Sequence, residues 1–490
     1  MYKSLYFCPM KPKLLAASLL MIITSATVSA QDTWNLKRSV DYALENNISV
    51  KQADIQARLA ALSLKQSQLM QLPSANISGS TGINAGRSID PTTNLFTNTQ
   101  LFSTGFSFSS GVTVFNFFSV RNNIAGNRFD TEAARANVDK IRNDIALNVA
   151  TAYLLVLVSQ EQVNIARLAV QLTNENLENT RKRVAAGALP ELNAAELEAQ
   201  LALDSSTLIT SVNTVRQNIL QLKALLNVDA AQNFTVEMPP LDRIPVLPLG
   251  QLQPETVYSE AVRNLPQQKV NELRIKAAEK YVRAARGQMY PSFSLFAGMG
   301  TNYANNKIPS VLQVPTGDFD TTGAKAVVNG TLYDVVAPGF RNVITTSTTQ
   351  FGTQLSDNFR QNVGIQVNIP LFNNGVARNA WQRSKLNVET LQLQKDQDLL
   401  NLKQDIYTAY NDAATAIQKF AASRKAVETA EKAYSFAQRR YELGLLSTID
   451  LLTNQNNLNR ARIERAQAEV DYIFRLKVLE FYKGRGITVE

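Results

Sequence analysis

Residues Arg439–Leu452 read RRYELGLLSTIDLL, and one glycine, Gly444, interrupts a long run of residues that favour helix. A second stretch, Arg181–Asn193, reads RKRVAAGALPELN and has the same plan around Gly187. Glycine adopts positive φ at low cost, so each glycine suits the position just after a helix. The preceding cations suit the negative end of the helix dipole. Each stretch therefore predicts a tight turn between two helices.

An internal repeat relates the two turns. Positions that match at a spacing of 257 residues are Thr151 and Thr408, Tyr153 and Tyr410, Arg183 and Arg440, and Gly187 and Gly444. Upstream the spacing is 218 residues, as between Pro73 and Pro291, so 39 residues are inserted in the second copy. The sequence thus predicts one unit that has been duplicated.

Both copies predict the same order of elements: a leading helix, a β-hairpin, a long helix, a turn and a return helix. The predicted segments are a signal peptide at 1–30, a first repeat at 31–227, a proline-rich linker at 228–253, a second repeat at 254–484 and a tail at 485–490. The leading helices are predicted at about 36–70 and 254–288, the hairpins at about 75–114 and 292–370, the long helices at about 121–186 and 378–443, and the return helices at about 191–227 and 447–483.

The N-terminal residues have the pattern of a secretory signal. Three lysines precede the apolar run Leu14–Ile23, and Ser29-Ala30 ends a small-residue cleavage site. The run is too short to cross a bilayer as a helix. A mean hydropathy of −0.15 also argues against a membrane protein built of many apolar helices. We therefore expect an exported chain.

Composition excludes several classes of function. The chain has no histidine, and its one cysteine, Cys8, lies in the predicted signal peptide. Common nucleophile–base pairs and zinc sites are therefore absent, and we expect no enzyme, no cofactor and no bound metal. The formal net charge of +9 is mild for 490 residues, and the basic residues do not form a patch with aromatic residues between them. We therefore expect no nucleic-acid partner.

The clearest strand pattern lies at 102–114. Apolar and small residues alternate there as Phe102, Phe106, Phe108, Val112 and Val114 against Ser103, Gly105, Ser107, Ser109 and Gly111. Val363–Ile369 repeats this pattern in the second copy. A strand of a soluble sandwich remains open, but four strands with no other β signal make a poor sandwich. Alternating strands with a small polar face are typical of an outer-membrane barrel, which four strands cannot close. Several chains must then contribute.

The two remaining long segments are a loop and a helical seam. Residues 301–361 are rich in Thr, Gly, Asn and Asp, and a loop of that length is expected outside the cell at the mouth of a barrel. In the first long helix, apolar residues recur every three, four or seven positions, as in a coiled coil. They are Ile141, Ile145, Val149, Ala152, Val156, Val163, Ala166 and Val170, with a second set at Leu147, Leu154, Leu155, Leu157 and Val158.

The duplicated units, the motif PLFNNG at Pro370–Gly375 and the motif RYELGLLSTIDLL at Arg440–Leu452 resemble the TolC family of outer-membrane efflux proteins. The resemblance covers about residues 34–484. It implies a mixed α and β membrane protein, a homotrimer with four strands per chain in a twelve-stranded outer-membrane β-barrel. It also implies that this barrel continues into a long periplasmic α-helical coiled-coil barrel. Such proteins are passive exit ducts in the outer membrane of Gram-negative bacteria.

The resemblance also implies partners and site residues. The partners are a periplasmic adaptor, an inner-membrane pump of RND or ABC type, and outer-membrane lipid. Adaptor docking would fall on the turns, at Arg183, Gly187, Leu189, Arg440, Gly444, Leu445 and Ser447. The entrance constriction would fall at Asp450, its counterpart Asn193, and Thr453, which stands where some relatives have an acid. The acidic ring is thus weaker here, which puts cation selectivity in doubt.

Three alternatives stay open from the residues alone. Ser447-x-x-Asp450 has the pattern of a capping box and Pro190 suits a first helical turn, so a purely structural role of the turn residues is one alternative. The polar run Asn454–Asn459 fits a wetted channel or a solvated outer face equally well. The expected function is export of small molecules or polypeptides, and the alternative is a periplasmic coiled-coil scaffold without a pore.

Overall fold

The structure is a computed structural model that describes residues 33–89, 94–237, 246–305 and 308–484. The predicted signal peptide, the middle of the proline-rich linker and the predicted tail lie outside the described residues.

The fold combines long helices with antiparallel strands, and each half of the chain runs through a similar order of elements. The first half, residues 33–237, contains β1 (Thr33–Trp34), α1 (Leu36–Asn46), α2 (Ile48–Leu69), β2 (Ser74–Ile89), β3 (Phe96–Phe115), α3 (Ser119–Ala185), α4 (Glu191–Leu226) and β4 (Thr235–Val236). The second half, residues 246–484, contains a 3₁₀ turn (Leu249–Gln251), α5 (Pro254–Asn264), α6 (Pro266–Gly287), β5 (Ser292–Ala304), β6 (Ile308–Val328), β7 (Thr331–Ser347), α7 (Phe351–Asp357), β8 (Arg360–Asn368), α8 (Val376–Glu442) and α9 (Thr448–Tyr482).

The chain forms two compact units. The first, up to Leu59 with Thr131–Arg274 and the residues from Leu391 onward, is mainly helical. Its core confirms the apolar seam of α3, because six of the eight predicted seam residues are buried: Ile145, Val149, Ala152, Val156, Val163 and Ala166. Leu222 and Leu226 of α4 pack against this seam. Burial of such side chains stabilises the unit by about 1.5–3 kcal/mol each.

One described helix, α3, contains an 18-residue window that is apolar enough to cross a membrane by length and composition alone. Buried helices of soluble proteins pass the same test, and 39% of this window is buried inside the structure.

A short parallel pair, β1 with β4, was not predicted. Trp34 of β1 is buried, stacks on Phe234 with ring centroids 4.9 Å apart, and meets the edge of Tyr42 at 5.1 Å. Each strand is only two residues long, which is too short for a period-two pattern to show. The expectation of no β signal beyond the four hairpin strands is therefore wrong.

Each leading helix is interrupted, whereas the sequence predicted one continuous helix. α1 ends before Asn47, whose side chain accepts from Ser49 N at 2.8 Å and donates to Leu225 O at 2.7 Å. α5 ends before Leu265, which precedes Pro266 and adopts an extended φ of −73° and ψ of 129°. A residue before proline disfavours helix, so two different local causes produce the same break.

The second unit, Ala60–Asp130 with Ile275–Thr390, contains a four-stranded antiparallel sheet in the order β2-β3-β5-β8. Residues directly opposite each other share a face. One face is apolar and exposed, and its larger members are Ile77, Ile83, Phe102, Phe106, Leu295, Met299, Val363, Ile365 and Val367. The other face is largely small and polar, with Ser78 bonded to Ser107 at 2.7 Å.

Aromatic residues gather at both ends of this sheet. At the end that leads into α3, Phe115 lies 5.1 Å from Phe117 and 6.3 Å from Phe293 (ring centroids). At the other end, Tyr303 lies 6.5 Å from Phe102 and 5.0 Å from Phe351 of α7. The ten-residue rise from Phe293 to Tyr303 corresponds to roughly 25 Å for a strand tilted by about 40°, which is the height of an outer-membrane apolar band.

The predicted loop 301–361 is largely regular. It contains the end of β5, the long antiparallel hairpin β6–β7 and the short helix α7. Gln354 fixes α7 to the end of β5, because its side chain accepts from Ala304 N at 3.0 Å and donates to Ala304 O at 2.9 Å. The composition, rich in Thr, Gly and Asp, favoured a loop, so the hairpin was not predicted, although apolar residues recur along both strands.

Candidate functional site: the two helical turns

Both predicted turns end a helix with a left-handed glycine. Gly187 and Gly444 each have φ of +75°. Gly187 N donates to Val184 O at 2.8 Å and Ala188 N donates to Arg183 O at 2.9 Å. The matching bonds in the second turn are Gly444 N to Tyr441 O at 3.0 Å and Leu445 N to Arg440 O at 2.8 Å. Both turns are Schellman motifs, which confirms the predicted role of the glycines.

The turns differ in how the next helix begins. Ser447 caps α9, since its Oγ accepts from Asp450 N at 3.1 Å and donates to Asp450 Oδ2 at 2.7 Å. Pro190 precedes α4 with φ of −63° and ψ of 149° and supplies no side-chain cap. Pro190 is therefore the N-cap residue. The sequence suggested a place in the first helical turn, and that prediction is wrong. The extended ψ explains this, because a residue inside the helix needs a negative ψ.

The residues predicted for adaptor docking fall into two groups. Gly187, Arg440, Gly444, Leu445 and Ser447 are exposed, and Leu189 is half-buried. Arg440 Nη2 reaches Leu445 O in its own turn at 3.5 Å. Arg183 differs, because its Nη1 donates to Tyr441 O of the other turn at 3.1 Å. Its cation thus lies at the negative C-terminal end of α8 and joins the two turns.

Each helical pair has its own apolar cluster near its turn. Leu177, Ala194 and Leu197 form one cluster between α3 and α4. Tyr434, Ala437, Tyr441, Leu451 and Leu458 form the other between α8 and α9. Leu452 of α9 packs against the first cluster, so the second helical pair contacts the first. Apolar packing therefore holds each helical pair together.

Near the turns, hydrogen bonds join α3 to α8 and α9, and one of the bonded side chains of α3 also bonds to α4. We call this group of residues the polar layer. Its hydrogen bonds are Thr180 Oγ1 with Tyr441 OH at 2.7 Å, Asn176 Nδ2 to Tyr434 OH at 3.5 Å, Gln455 Nε2 to Thr173 Oγ1 at 2.7 Å and Thr173 Oγ1 to Asp204 Oδ2 at 2.6 Å. Thr173 and Thr180 are fully buried. Burial raises the pKa of Tyr434, so its hydroxyl stays protonated at neutral pH.

The polar layer was missed, although the sequence contains its signal. The apolar seam of α3 continues beyond Val170 at the same spacing, and its next positions are Thr173, Leu177 and Thr180. Two threonines in a seam indicate buried polar partners. The partners on α8 and α9 could not be read from the sequence, because they are more than 250 residues away.

The polar run after the second turn is not uniform. Gln455 is only 1% exposed and lies in the polar layer, so it lines neither a channel nor an outer face. The cause is its position: it follows Leu451 by four residues and precedes Leu458 by three, so all three share the buried face of α9. Asn456 and Asn457 are exposed, and Asn454 is half-buried.

The residues predicted for the constriction lie beside the turns. Asp450 and Thr453 are exposed and Asn193 is half-buried. Each bonds locally: Asp450 with Ser447, Thr453 Oγ1 to Ile449 O at 2.8 Å, and Asn193 N to Pro190 O at 3.2 Å. Within the described ranges, no group of three or more His, Cys, Asp or Glu side chains is placed to hold a metal ion.

Known proteins are similar to this chain in sequence and in fold. The family model for outer membrane efflux proteins matches residues 40–228 and again 257–484. Outer membrane efflux protein BepC of Brucella suis biovar 1 (strain 1330) is 21% identical over 461 residues, which cover 94% of this chain and 88% of BepC. The solved structure of CusC matches with a TM-score of 0.71 at 16% identity, over 93% of this chain and 92% of that one. The Campylobacter jejuni CmeC outer membrane channel matches with a TM-score of 0.70 at 18% identity, over 93% and 86%.

Proposed function

This chain belongs to the outer membrane efflux protein family, and we propose that three copies of it form a passive exit duct fed by a periplasmic adaptor and an inner-membrane pump. The resemblance to the TolC family is thereby confirmed, and with it a place in the outer membrane that extends into the periplasm. In the proposal, the three sheets close a twelve-stranded β-barrel, and the helices form a coiled-coil barrel. The pump is of RND or ABC type. The exported compounds are small molecules such as drugs, or polypeptides.

The open edges of the sheet carry this proposal. In the part of the chain that the structure describes, no strand pairs with the outer edge of β2 or of β8. Long unpaired edges invite further strands, and four strands cannot close a barrel. Pairing β2 of one copy with β8 of the next removes both edges. Three copies then contribute twelve strands, an even number within the range of outer-membrane barrels.

Two exposed apolar stripes support the same ring. Each stripe consists of exposed side chains at seven-residue intervals. They are Ile48, Ile55, Leu62 and Leu69 on α2, and Leu386, Leu393, Leu400 and Tyr407 on α8. Such a repeat is the pattern of a coiled-coil seam. α2 leads directly into β2, and β8 leads into α8. Closure of the sheet therefore brings α2 of one copy beside α8 of its neighbour, where each stripe covers the other.

The apolar sheet face supports outer-membrane lipid as a partner. Between the two aromatic groups, the side chains that the structure describes on this face include no charged residue. The aromatic groups stand where interfacial belts are expected. A soluble sandwich would need a second sheet on this face, and the face is exposed.

The proposal assigns adaptor docking to the exposed turn residues Gly187, Arg440, Gly444, Leu445 and Ser447 and to the half-buried Leu189, with Arg183 as the link between the turns. The entrance constriction falls at Asp450, Asn193 and Thr453. With one carboxylate per chain at these three positions, the ring in a trimer has three acids, which favours weak cation selectivity. No residue is assigned a catalytic role.

The repeat also belongs to the proposal. Both halves contain two leading helices, a strand pair of the main sheet, a long helix and a return helix. The family model matches once in each half. These observations support a duplicated unit with an insertion in the second copy. The proposal also includes a signal peptide at 1–30, which the sequence pattern alone supports.

A variant of the α8 stripe tests the ring. Leu393→Glu with Leu400→Glu places charges where the next copy packs, and we expect the trimer to dissociate in detergent. Gln394→Glu with Asn401→Glu is the matched control, because both residues are exposed, stand seven positions apart like the two leucines, and lie about 100° round the helix from the stripe. Size-exclusion chromatography with light scattering gives the mass. The scaffold alternative predicts that wild-type protein fractionates with the soluble periplasm as a monomer, and that result would reject the duct.

A further inference from the structure

The insertion in the second half folds as the hairpin β6–β7, and a single chain leaves most of it uncovered. Its large apolar side chains are exposed, including Phe319 at 67% and Ile344 at 68%. A two-stranded hairpin is marginally stable on its own in water. Exposed apolar surface of this kind marks an interaction site. The hairpin therefore needs a partner.

The register of β6 and β7 defines two faces of the hairpin. The first face contains the pairs Val311–Ile344, Pro315–Phe340, Phe319–Pro338, Thr321–Val336, Lys325–Asp334 and Val327–Leu332. The second face contains Leu312–Val343, Val314–Arg341, Asp320–Ala337 and Ala326–Tyr333. Both faces are mainly apolar, and each carries one cation and one anion. Asp318 lies where the strand register is irregular, between the pairs Pro315–Phe340 and Phe319–Pro338.

Charge argues against lipid as the partner. The membrane face of the main sheet is uncharged between its aromatic groups, whereas the hairpin carries Lys325, Asp334, Arg341, Asp318 and Asp320. A charged side chain in a bilayer is costly. The hairpin also begins after Ala304, beyond the aromatic group of Phe102 and Tyr303. A folded protein surface with matching charges fits these faces better.

Continuity with the ring indicates which protein this is. The hairpin leaves from β5 and returns through α7 into β8, whose outer edge is the one that the next copy pairs. Gln354 and Asn358 tie α7 to the backbone of β5, with Asn358 Nδ2 donating to Asn302 O at 2.7 Å. The hairpin is thus held beside the proposed contact between copies.

We propose that the hairpins of the three copies pack on one another beyond the end of the barrel, the first face of each on the second face of the next. This inference rests on the proposed trimer. The contact is cyclic, so each copy uses both faces and no apolar face is left over. Each face offers a cation and an anion to the other, so the contact buries no net charge. The packed hairpins then hold the trimer together at its outer end.

Disulfide trapping tests this contact, because the predicted mature chain has no cysteine of its own. The test variant is Phe340→Cys with Val314→Cys, which places thiols at neighbouring levels on opposite faces. The matched control is Phe340→Cys with Val336→Cys, where both thiols lie on the first face. Both are oxidised in isolated outer membranes and run on denaturing gels. We expect covalent trimers from the test variant and at least fivefold less from the control.

A deletion separates this inference from the trimer itself. In it, residues 308–347 are replaced by a short Gly-Ser linker, and the trimer is followed by light scattering during heating. We expect trimers that still assemble but dissociate at lower temperature than wild type. The hairpin contact would be overturned if the test variant formed intact trimers without disulfide links. It would also be overturned if the deletion variant dissociated at the same temperature as wild type. Wild-type protein that is monomeric would instead overturn the proposed function.

Discussion

The first and second halves of the chain repeat the same backbone at two turns, yet they fill those turns with different side chains. Between β3 and α3, Phe117 and Phe118 have φ of 48° and 62°. At the matching positions between β8 and α8, Asn374 and Gly375 have φ of 53° and 75°. Asparagine and glycine adopt this conformation at low cost, whereas a bulky residue there is strained. Stacking of Phe117 on Tyr290, with centroids 4.7 Å apart, offsets part of that strain.

The helical turns show the same contrast. Both end in a Schellman glycine, but only the second has a serine cap that bonds to a carboxylate, as Ser447 does to Asp450. The first half contributes Arg183, which bonds to the second turn. Backbone geometry is thus common to both halves, while capping, charge and the bonds between the halves are divided between them. Substitutions that exchange or remove these features test that division.

The largest effect is expected from Gly444→Pro. Proline fixes φ near −65° and has no N–H, so it loses both the left-handed conformation and the bond to Tyr441 O. We expect export to fall to the level of a deletion strain while the barrel still assembles. Minimum inhibitory concentrations measure export, and heat-modifiable trimer on gels measures assembly. Gly187→Pro is the matched change in the first turn. If the Gly444→Pro strain tolerated drugs as well as wild type, a docking role for this turn would be contradicted.

The polar layer gives the next effect. Thr180→Val leaves the buried Tyr441 hydroxyl without its partner, and Tyr441→Phe does the same to Thr180. Each change should weaken the contact between the two helical pairs by about 1–3 kcal/mol, because an unsatisfied buried hydroxyl is costly. The double variant should be nearer to wild type. Hydrogen exchange at the ends of α3 and α8 measures the weakening, and additive single effects would contradict a direct bond.

Gln455 makes separation of the pairs easier than an apolar interface would. Its Oε1 is buried and has no hydrogen-bond partner among the described residues. An interface with an unsatisfied polar atom is less stable than one of well-packed apolar side chains. Gln455→Leu removes this oxygen, while Thr173 Oγ1 keeps its bond to Asp204 Oδ2. The change should therefore stiffen the contact and lower hydrogen exchange at the ends of α3 and α8.

Charge at the turns gives a smaller and more specific effect. Asn193→Asp makes the first turn resemble the second and raises the number of carboxylates at the constriction positions from three to six in a trimer. We expect a higher ratio of cation to anion permeability, with no loss of stability, because an acid in the first turn of α4 suits the helix dipole. Reversal potentials in salt gradients measure the ratio. Asp450→Asn should shift it the opposite way, and equal ratios in both variants would place these side chains away from the ion path.

The smallest effect is expected at the strained turn. Phe118→Gly removes a left-handed aromatic residue and should stabilise the trimer by up to about 1 kcal/mol in detergent, less the loss of its contact with Phe115. Gly375→Ala at the matching position should destabilise by about 1 kcal/mol. Thermal melting followed by light scattering compares the two. Changes of the same sign would show that the halves do not share this geometry.

Much of the fold could be predicted because long helices and alternating strands have periodic sequences. The seam from Ile141 to Val170 and the alternation at 102–114 each contain enough residues for the period to show. The glycine turns were predictable because positive φ leaves few choices of residue. The breaks in the leading helices were not predicted, because the surrounding residues favour helix. One break depends on the side chain of Asn47 and the other on the proline that follows Leu265.

Contacts between distant residues could not be predicted in the same way. Thr173 meets Gln455, and Thr180 meets Tyr441, across more than 250 residues. The seam positions of the threonines showed that partners were needed but not which ones. The hairpin β6–β7 was obscured because its pairs combine apolar, charged and small residues on both faces.

The central claim is that the open edges of β2 and β8 close between copies to form a channel. Planar-bilayer recording of the purified trimer tests it most directly, alongside the Leu393→Glu, Leu400→Glu variant and the Gln394→Glu, Asn401→Glu control. We predict stepwise ion conductance from wild type and the control, and none from the variant that cannot close the ring. Wild-type protein that inserts no conducting pores, or equal conductance from all three, would contradict the account.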